Sequence, residues 1–524
     1  MRKNQCAPLF KIALLAGAAV ATTALASSAL ETSQVASSQG VERCSSLLGR
    51  TFSGAVVEKA DFVAAGQPLN SYVNSSAGVC RVRARLSPTT DSLIKIEVWL
   101  PSSWNGKLLG SGGSGFNGGL SFAKAFLPTA VKDGYVGLVT DAGHDFSLSA
   151  KWALGHPEKL VDFGWRANHQ GVLAAKALTA SYYGEAAKRA YFQGCSNGGR
   201  DALMLAQRHP EDYDAIIAGA PAYNWTALFA GFLQKSQISN VGPGARTLTP
   251  KLDLVRKAAL DRCDKDDGVK DGLIGNPAQC RFDPKVLQCK SGDGPDCLTK
   301  PELRALRTIY RGAKGPNGQI VMAGPAVGSE YEWAAWFGSP TSAGAGAAAD
   351  YYRNMVYGDP TWDPTKFNFD RDYPAATERV GATLNATTPD LKAFLSRGGR
   401  LLMYQGWDDA ATAPGNTIAY FKAMRRASGA ASTNQTRLFM APGMAHCSGG
   451  KGPDTFDALG VLDAWVSGAK PPETLIASRY ENSQAVSWGA QAKPLSTRPI
   501  CAWPKTAHYK GSGPASEASS FICR

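Results

Sequence analysis

The sequence predicts an α/β fold in which a mostly parallel sheet is flanked by helices and interrupted by a large insertion. Short apolar segments typical of buried strands alternate with helical patterns in two parts of the chain. The stretch 223–388 between them lacks this alternation and holds four cysteines and many aromatic residues. Because strand signals resume after Pro389, we interpret 27–222 and 389–524 as one domain and 223–388 as an inserted domain.

The individual elements follow from hydrophobic pattern and from turn residues. A short predicted strand at 190–193 leads into a glycine turn, and a helix pattern at 198–208 ends before Pro210. The other strands are predicted at 92–100, 136–140, 214–218, 400–404 and 436–440, with helices at 391–397 and 456–466.

The N-terminus has the pattern of a secretory signal peptide. Basic residues precede or edge the apolar run Ile12 to Val20, and Ala24-Leu25-Ala26 offers a small-residue cleavage site. The run is too short for a membrane anchor. We therefore predict a signal peptide at 1–26 and a secreted or periplasmic protein.

The charge pattern gives no sign of a macromolecular partner. The formal net charge is +13, but lysine and arginine are scattered and form no basic run. A well-solvated basic surface explains this better than nucleic-acid binding. We expect a small-molecule substrate and neither a nucleic-acid nor a membrane partner, and the oligomeric state stays open.

The cysteine content indicates a disulfide framework. Of the 11 cysteines, Cys6 lies in the predicted signal peptide, and the even remainder suits an exported protein. Spacing favours local pairs and leaves Cys195 and Cys447 to each other. The local pairs are Cys44–Cys80, Cys263–Cys280, Cys289–Cys297 and Cys501–Cys523.

Gly194-Cys195-Ser196-Asn197-Gly198 fits the G-x-S-x-G motif between a predicted strand and a predicted helix. In this turn the glycines are needed because side chains beside the strained serine would clash. The motif predicts Ser196 as a nucleophile, with an acid and then a histidine later in the chain. Only His446 and His508 lie far enough downstream, and His508 belongs to a polar tail. We predict His446 as the base.

The acid is expected at the end of a strand between the nucleophile and the histidine. Asp408 and Asp409 both follow the strand at 400–404, and the pattern leaves the choice between them open. For the oxyanion hole, Asn197 offers one backbone N–H group, and Gly115 of the glycine-rich loop 112–115 offers a second. A Cys195–Cys447 bond would hold Ser196 beside His446.

A second motif predicts a metal site in the insertion. The segment Asp264 to Leu273 contains four aspartates and two glycines, just before Cys280. Hard oxygen ligands in a tightly turning loop suit Ca²⁺, although the spacing differs from that of an EF-hand. Its distance from Ser196 in the chain favours a structural ion.

These features together resemble the tannase and feruloyl esterase family. The resemblance runs from about Cys44 to the C-terminus and rests on Cys195-Ser196, on the aspartate after Gly406-Trp407, on His446-Cys447 and on the acidic loop. It implies an α/β-hydrolase core with an inserted lid, and secreted esterase activity on hydroxycinnamate or gallate esters. Trp336 and Phe337 of the lid could then contact an aromatic acyl group, and packing in the core is the alternative role for both.

The resemblance also implies roles for individual residues. It implies that Asp409 is the acid. It implies Ca²⁺ ligands from the side chains of Asp264, Asp267 and Asp271 and from the carbonyl groups of Val269 and Leu273.

Mono(2-hydroxyethyl) terephthalate hydrolases are a branch of this family and provide an alternative activity. The sequence departs from that branch at Gln405, where histidine is often found, and no arginine lies between Trp336 and Arg353. The sequence also leaves open a secreted serine peptidase and an inactive hydrolase that serves as a binding module.

Overall fold

The computed structural model describes residues 38–116, 118–242, 246–315 and 318–524. The predicted signal peptide at 1–26 lies outside these residues, and so does Cys6. The central feature is a ten-stranded sheet. Its strands are β1 (Thr51–Phe52), β2 (Ala55–Val63), β3 (Val79–Leu86), β4 (Ile94–Pro101), β5 (Lys107–Ser111), β6 (Val136–Thr140), β7 (Arg189–Cys195), β8 (Ala215–Gly219), β9 (Arg400–Gly406) and β10 (Thr436–Ala441).

The strand order in the sheet is β1-β2-β3-β4-β6-β5-β7-β8-β9-β10. The six strands β6, β5, β7, β8, β9 and β10 are parallel to one another. The other neighbouring pairs, β1 with β2, β2 with β3, β3 with β4 and β4 with β6, are antiparallel. Parallel strands end at a common edge of the sheet. At this edge Cys195, the last residue of β7, is paired with Gly219, the last residue of β8. Loops that leave this edge therefore lie close together. In open α/β sheets, ligands bind at this edge, beyond the carboxyl ends of the strands.

The longer helices cover both faces of the sheet or belong to the insertion. They are α1 (Ala123–Lys132), α2 (Ala167–Tyr183), α3 (Asn197–Arg208), α4 (Trp225–Ser239), α5 (Leu252–Cys263), α6 (Lys300–Arg311), α7 (Glu330–Phe337), α8 (Ala343–Tyr351), α9 (Phe369–Ala376), α10 (Pro414–Ser428) and α11 (Ala458–Val466). In the described part of the chain, no helix combines the length and the apolar character needed to cross a bilayer.

Alternate residues of the central strands face two separate hydrophobic cores, as strand geometry requires. Ile216 of β8 packs in the core that includes α2, α3 and α10. Its neighbour Ile217 packs in the core on the opposite face, together with α11. Every residue of β8 is buried, which explains why the strand reads as a continuous apolar run.

The insertion lies between β8 and β9 and contributes most of a large hydrophobic core. Trp225, Phe229, Trp333, Phe337 and Tyr351 are buried in this core. The arrangement is an α/β-hydrolase core with a large inserted lid, which confirms the predicted fold class. The predicted boundaries at 223 and 388 stay a prediction, because the same cluster continues into residues of the main domain.

The predicted elements agree with the structure to within one or two residues at nearly every end. The strand predicted at 136–140 has the observed bounds, and the predicted helix at 198–208 begins one residue earlier. The largest differences are of two residues: β7 and β9 each continue two residues further than predicted toward the common edge, and β4 and α11 each begin two residues later than predicted.

All five predicted disulfide bonds are present in the structure. Four are the local pairs expected from spacing. The fifth joins Cys195 to Cys447, which are 252 residues apart in the chain and have Cα atoms 5.9 Å apart. The framework suits an oxidising compartment.

Candidate active site

Ser196 occupies a strained turn between β7 and α3. Its φ angle is 63°, a left-handed conformation that is uncommon for a serine. A Cβ atom added at Gly194 would lie 2.4 Å from the carbonyl oxygen of Gly198, and one at Gly198 would lie 2.9 Å from that of Gly113. Glycine is therefore required on both sides of the serine, as the G-x-S-x-G motif predicts.

Three predicted side chains meet at the common edge of the sheet. Nε2 of His446 lies 2.8 Å from Oγ of Ser196, and Nδ1 of His446 lies 2.8 Å from Oδ2 of Asp409. The serine is thus hydrogen-bonded to an imidazole that is in turn oriented by a carboxylate, which is the geometry of a catalytic triad. His508 lies elsewhere, beside Thr506 and Arg524.

The structure distinguishes Asp409 from Asp408. Asp409 is fully buried. Its carboxylate accepts hydrogen bonds from the N–H groups of Ala411 and Thr412 and from side chains of Thr412 and Gln405. Burial alone would raise the pKa of Asp409, but His446 and these hydrogen bonds outweigh it and lower the pKa. The carboxylate is therefore held in its charged form.

Asp408 faces the lid instead. Its Oδ2 accepts a hydrogen bond from the hydroxyl of Tyr331 on α7 at 3.1 Å, and its N–H donates to the carbonyl of Met444. Burial raises the pKa of Asp408 to about 7, even though the hydrogen bond from Tyr331 opposes this shift. Asp408 thus connects the lid to the loop that carries His446.

The Cys195–Cys447 bond joins the residue before the serine to the residue after the histidine. Cys447 has a φ angle of 66°, so both Ser196 and Cys447 are in the left-handed region. Such conformations persist only where the surroundings enforce them. The disulfide therefore connects two strained backbone segments at the point where the hydrogen bond between Ser196 and His446 forms.

The predicted oxyanion donors lie in two segments that pack closely together. Asn197 is the first residue of α3, where backbone N–H groups have no partner within the helix. A Cβ atom added at Gly112 would lie 2.7 Å from Cα of Gly198, so the loop 112–115 packs directly on the serine turn. Gly115 has a φ angle of 54°, and a Cβ added there would meet nothing within 4 Å. The roles of Asn197 and Gly115 stay a prediction.

Arg200 is a structural residue of the site that sequence reasoning missed. It is fully buried on the first turn of α3. Its guanidinium donates to the side chains of Asn197 and Asp201 and to the carbonyls of Phe163, Gly164 and Leu384. One cation thus braces the start of α3 against the segment that leaves the lid. The neighbours of Arg200 in the sequence are mostly polar or small, so no local pattern predicts that this arginine is buried.

Of the two lid aromatics, Trp336 lies at the site. Its ring meets the ring of His446 edge to face, with centroids 5.1 Å apart, and it stacks on Phe232. Phe337 is fully buried in the lid core. Adjacent residues of a helix point about 100° apart, so only one of the pair can face His446.

The acidic loop holds three inward-facing carboxylates. Asp264 and Asp267 are buried, whereas Asp271 is an exposed residue whose side chain is 19% exposed. Burial raises the pKa of Asp267 to about 6, and both burial and the charge of Asp264 raise the pKa of Asp271. Arg498 lies 2.7 Å from Asp271 and balances part of this charge.

The calcium site stays a prediction, because the carboxylate oxygens of Asp264, Asp267 and Asp271 do not all lie within 4.8 Å of one another. Among the described residues, no hydrogen-bond donor reaches the carbonyl oxygens of Val269 or Leu273. Both oxygens are therefore free to act as ligands beside the three carboxylates, in keeping with the oxygen preference of Ca²⁺. When bound, the ion would neutralise the crowded carboxylates and hold the loop in its turn.

Comparisons with known proteins identify the family of the chain. The family model for tannase and feruloyl esterase matches residues 79–524. An uncharacterized esterase from Xanthomonas campestris pv. campestris is 34% identical, with 92% of this chain and 91% of the relative aligned. A mono(2-hydroxyethyl) terephthalate hydrolase from Piscinibacter sakaiensis is 32% identical, with 82% and 81% aligned.

A solved structure supports the same relationship. The crystal structure of feruloyl esterase B from Aspergillus oryzae superimposes with a TM-score of 0.82 and 25% identity, over 92% of this chain and 100% of that chain. The match of the family model extends from β3 to the last residue and includes every strand of the sheet except β1 and β2, together with the insertion between β8 and β9. The chain therefore belongs to the tannase and feruloyl esterase family.

Proposed function

We propose that this protein is a secreted serine esterase that hydrolyses carboxylic esters of aromatic acids, namely feruloyl, other hydroxycinnamoyl or galloyl esters. The observation that carries the proposal is the hydrogen-bonded series from Ser196 through His446 to Asp409, with Trp336 packed against the imidazole. Membership of an esterase family supports the ester as substrate, and the relatives named feruloyl esterase support the aromatic acid.

The reaction proceeds by two acyl transfers. In the first, Nε2 of His446 takes the proton of Ser196 as Oγ attacks the ester carbonyl carbon. The negative charge that forms on the carbonyl oxygen is stabilised by the N–H groups of Asn197 and Gly115. The imidazolium then protonates the departing alcohol, and an acyl-enzyme remains. In the second transfer, His446 activates a water molecule that releases the acid and restores the serine.

Asp409 has two tasks in this scheme. It accepts the hydrogen bond from Nδ1 of His446 and so keeps Nε2 free to receive a proton, and it stabilises the imidazolium. The hydrogen bonds from Gln405 and Thr412 hold the carboxylate in place. Gln405 is itself anchored because it accepts a hydrogen bond from Thr417.

The lid would determine which acyl group fits. Trp336 and Phe232 are stacked, with centroids 5.9 Å apart, and the tryptophan contacts the imidazole. An aromatic acyl group attached to Ser196 would lie next to this pair, where ring contacts contribute about 0.5–1.5 kcal/mol. In this proposal Ca²⁺ binds the loop at Asp264–Leu273 and has a structural role.

The proposal is tested with a substrate panel of methyl ferulate, methyl gallate, mono(2-hydroxyethyl) terephthalate and a peptide amide. We expect turnover of at least one of the first two, because both present an aromatic acyl group. Turnover of the terephthalate ester alone would move the chain to the terephthalate branch of the family, and turnover of the amide alone would make it a peptidase.

Variants assign the activity to the site. Ser196→Ala should abolish turnover and leave the circular dichroism spectrum unchanged. His446→Gln should reduce kcat by about 1000-fold or more, whereas the matched variant His508→Gln should keep the wild-type rate. Esterase activity retained by Ser196→Ala would refute the assignment.

A further inference from the structure

A second cluster of titratable side chains lies at the opposite end of the nucleophile helix. His169 is on α2, His209 directly follows α3, and Asp212 precedes β8. One ligand atom from each residue lies within 4.8 Å of one from each of the others, and this is the one such group of histidine, cysteine or carboxylate side chains in the described part of the chain. Since α3 is 12 residues long, the cluster is separated from Ser196 by the length of the helix, about 18 Å.

The cluster contains two buried polar atoms that lack a partner. The Asp212 carboxylate is fully buried. Its Oδ2 accepts a hydrogen bond from Nδ1 of His169 at 2.8 Å, whereas its Oδ1 has no partner among the described residues. Nε2 of His209 is likewise buried and unpartnered. Each such atom destabilises the fold unless something binds it.

The two imidazole rings of the cluster are stacked. The centroids of His169 and His209 are 3.7 Å apart, and the ring planes are 14° from parallel. Metal ions bind the neutral form of imidazole.

We propose that His169, His209 and Asp212 bind a divalent transition-metal ion of the zinc class. Two imidazole nitrogens and one carboxylate oxygen are a common set of three protein ligands for zinc, with water as the fourth. Ca²⁺ would not compete well, because it prefers six to eight oxygen ligands.

Binding requires a small rearrangement. A metal ion lies in the plane of each imidazole that binds it. The two stacked rings lie in different, nearly parallel planes, so one ion beside the rings cannot lie in both planes. One ring must therefore rotate about its Cβ–Cγ bond and break the stack. The ion would then connect the end of α3 to α2 and hold the nucleophile helix from its far end. Its role is structural, since none of the three residues contacts the triad.

The test is equilibrium dialysis of the full-length mature protein, without a histidine tag, against Zn²⁺ in a buffer that contains Ca²⁺. The calcium keeps the acidic loop occupied, so that zinc is not counted there. We expect one tightly bound Zn²⁺ per chain. Co²⁺ in its place should give the visible absorption of a tetrahedral ion with nitrogen and oxygen ligands.

Variants locate the ion. His209→Gln and His169→Gln should each weaken zinc binding by roughly tenfold or more, while esterase activity without added zinc stays at the wild-type level. The matched control is His156→Gln, because Nδ1 of His156 lies 2.7 Å from Asp91 in a histidine–aspartate pair that has no third ligand among the described residues. His156→Gln should bind zinc as the wild type does.

Either of two results would overturn the proposal. One is the absence of bound zinc in the wild type at micromolar concentrations. The other is unchanged binding in both variants, which would place the ion elsewhere. Should His209→Gln fail to fold, His169→Gln decides the matter, and zinc must also protect His169 of the wild type from acylation by diethyl pyrocarbonate.

Discussion

The Cys195–Cys447 bond closes a loop with a sequence separation of 252 residues. In the double variant Cys195→Ala, Cys447→Ala, the chain-entropy relation gives a loss of about 5.5 kcal/mol in the free energy of unfolding. The Cys289–Cys297 bond, with a separation of 8 residues, gives about 2.5 kcal/mol by the same relation. The Cys289→Ala, Cys297→Ala variant is therefore the matched control for the loss of a disulfide.

Activity should fall further than stability alone explains. The bond joins the neighbours of Ser196 and His446, and both Ser196 and Cys447 have left-handed φ angles. Without it, the loop of His446 can relax away from the 2.8 Å contact with Ser196. A displacement of about 1 Å at a reacting group can cost about 100-fold in rate, which corresponds to about 2.7 kcal/mol in the activation free energy.

The assay pairs kcat/KM for an aromatic methyl ester with urea unfolding followed by circular dichroism, both at 25 °C. We expect the Cys195, Cys447 double variant to remain folded in buffer with a value of kcat/KM reduced by about 10- to 100-fold. The Cys289, Cys297 variant should keep its activity. Equal activity in the wild type and in the Cys195, Cys447 double variant would refute the reasoning.

Three further changes probe the neighbouring groups. Because the pKa of Asp408 is raised to about 7 in the folded protein, the wild type should lose stability as pH rises from about 4 to about 7, by up to about 4 kcal/mol. Asp408→Asn should remove this loss, so that the variant matches the wild type at pH 4 in urea unfolding and exceeds it at pH 8; a parallel pH dependence in both would contradict the assignment. Removal of Ca²⁺ with EDTA should lower Tm through the loop at Asp264–Leu273, and an unchanged Tm with no ion detected would count against the metal site. Trp336→Ala should raise KM for methyl ferulate more than for methyl acetate, whereas an equal change for both esters would argue against contact with the acyl group.

The sequence motifs were sufficient to predict those site residues whose positions depend on local chain geometry. The glycines around Ser196 predict the strained turn because any larger residue would clash there. Chain order then leads to His446. The central strand β8 was predictable for a related reason, since it is buried on both faces and must be apolar throughout. No strand was predicted at β1, β2 or β3, at the antiparallel end of the sheet.

Other features depend on how distant segments pack and have no local signal. Asp408 and Asp409 are adjacent, and only the path of the chain after β9 directs one toward the lid and the other toward His446. Trp336 and Phe337 likewise differ only in the face of α7 that they occupy. No short motif relates Gln405 to Asp409, although the two side chains are hydrogen-bonded. The same is true of His169, His209 and Asp212, which form the proposed metal site.

Labelling with a fluorophosphonate, followed by peptide mass mapping, is the decisive test of Ser196 as the nucleophile. We expect one adduct per chain, located on Ser196, and its loss in Ser196→Ala. Labelling should also be much slower in His446→Gln, because Nε2 of His446 is the base 2.8 Å from Oγ. Absence of an adduct on the folded protein, or an adduct on a different residue, would contradict the assignment of the nucleophile.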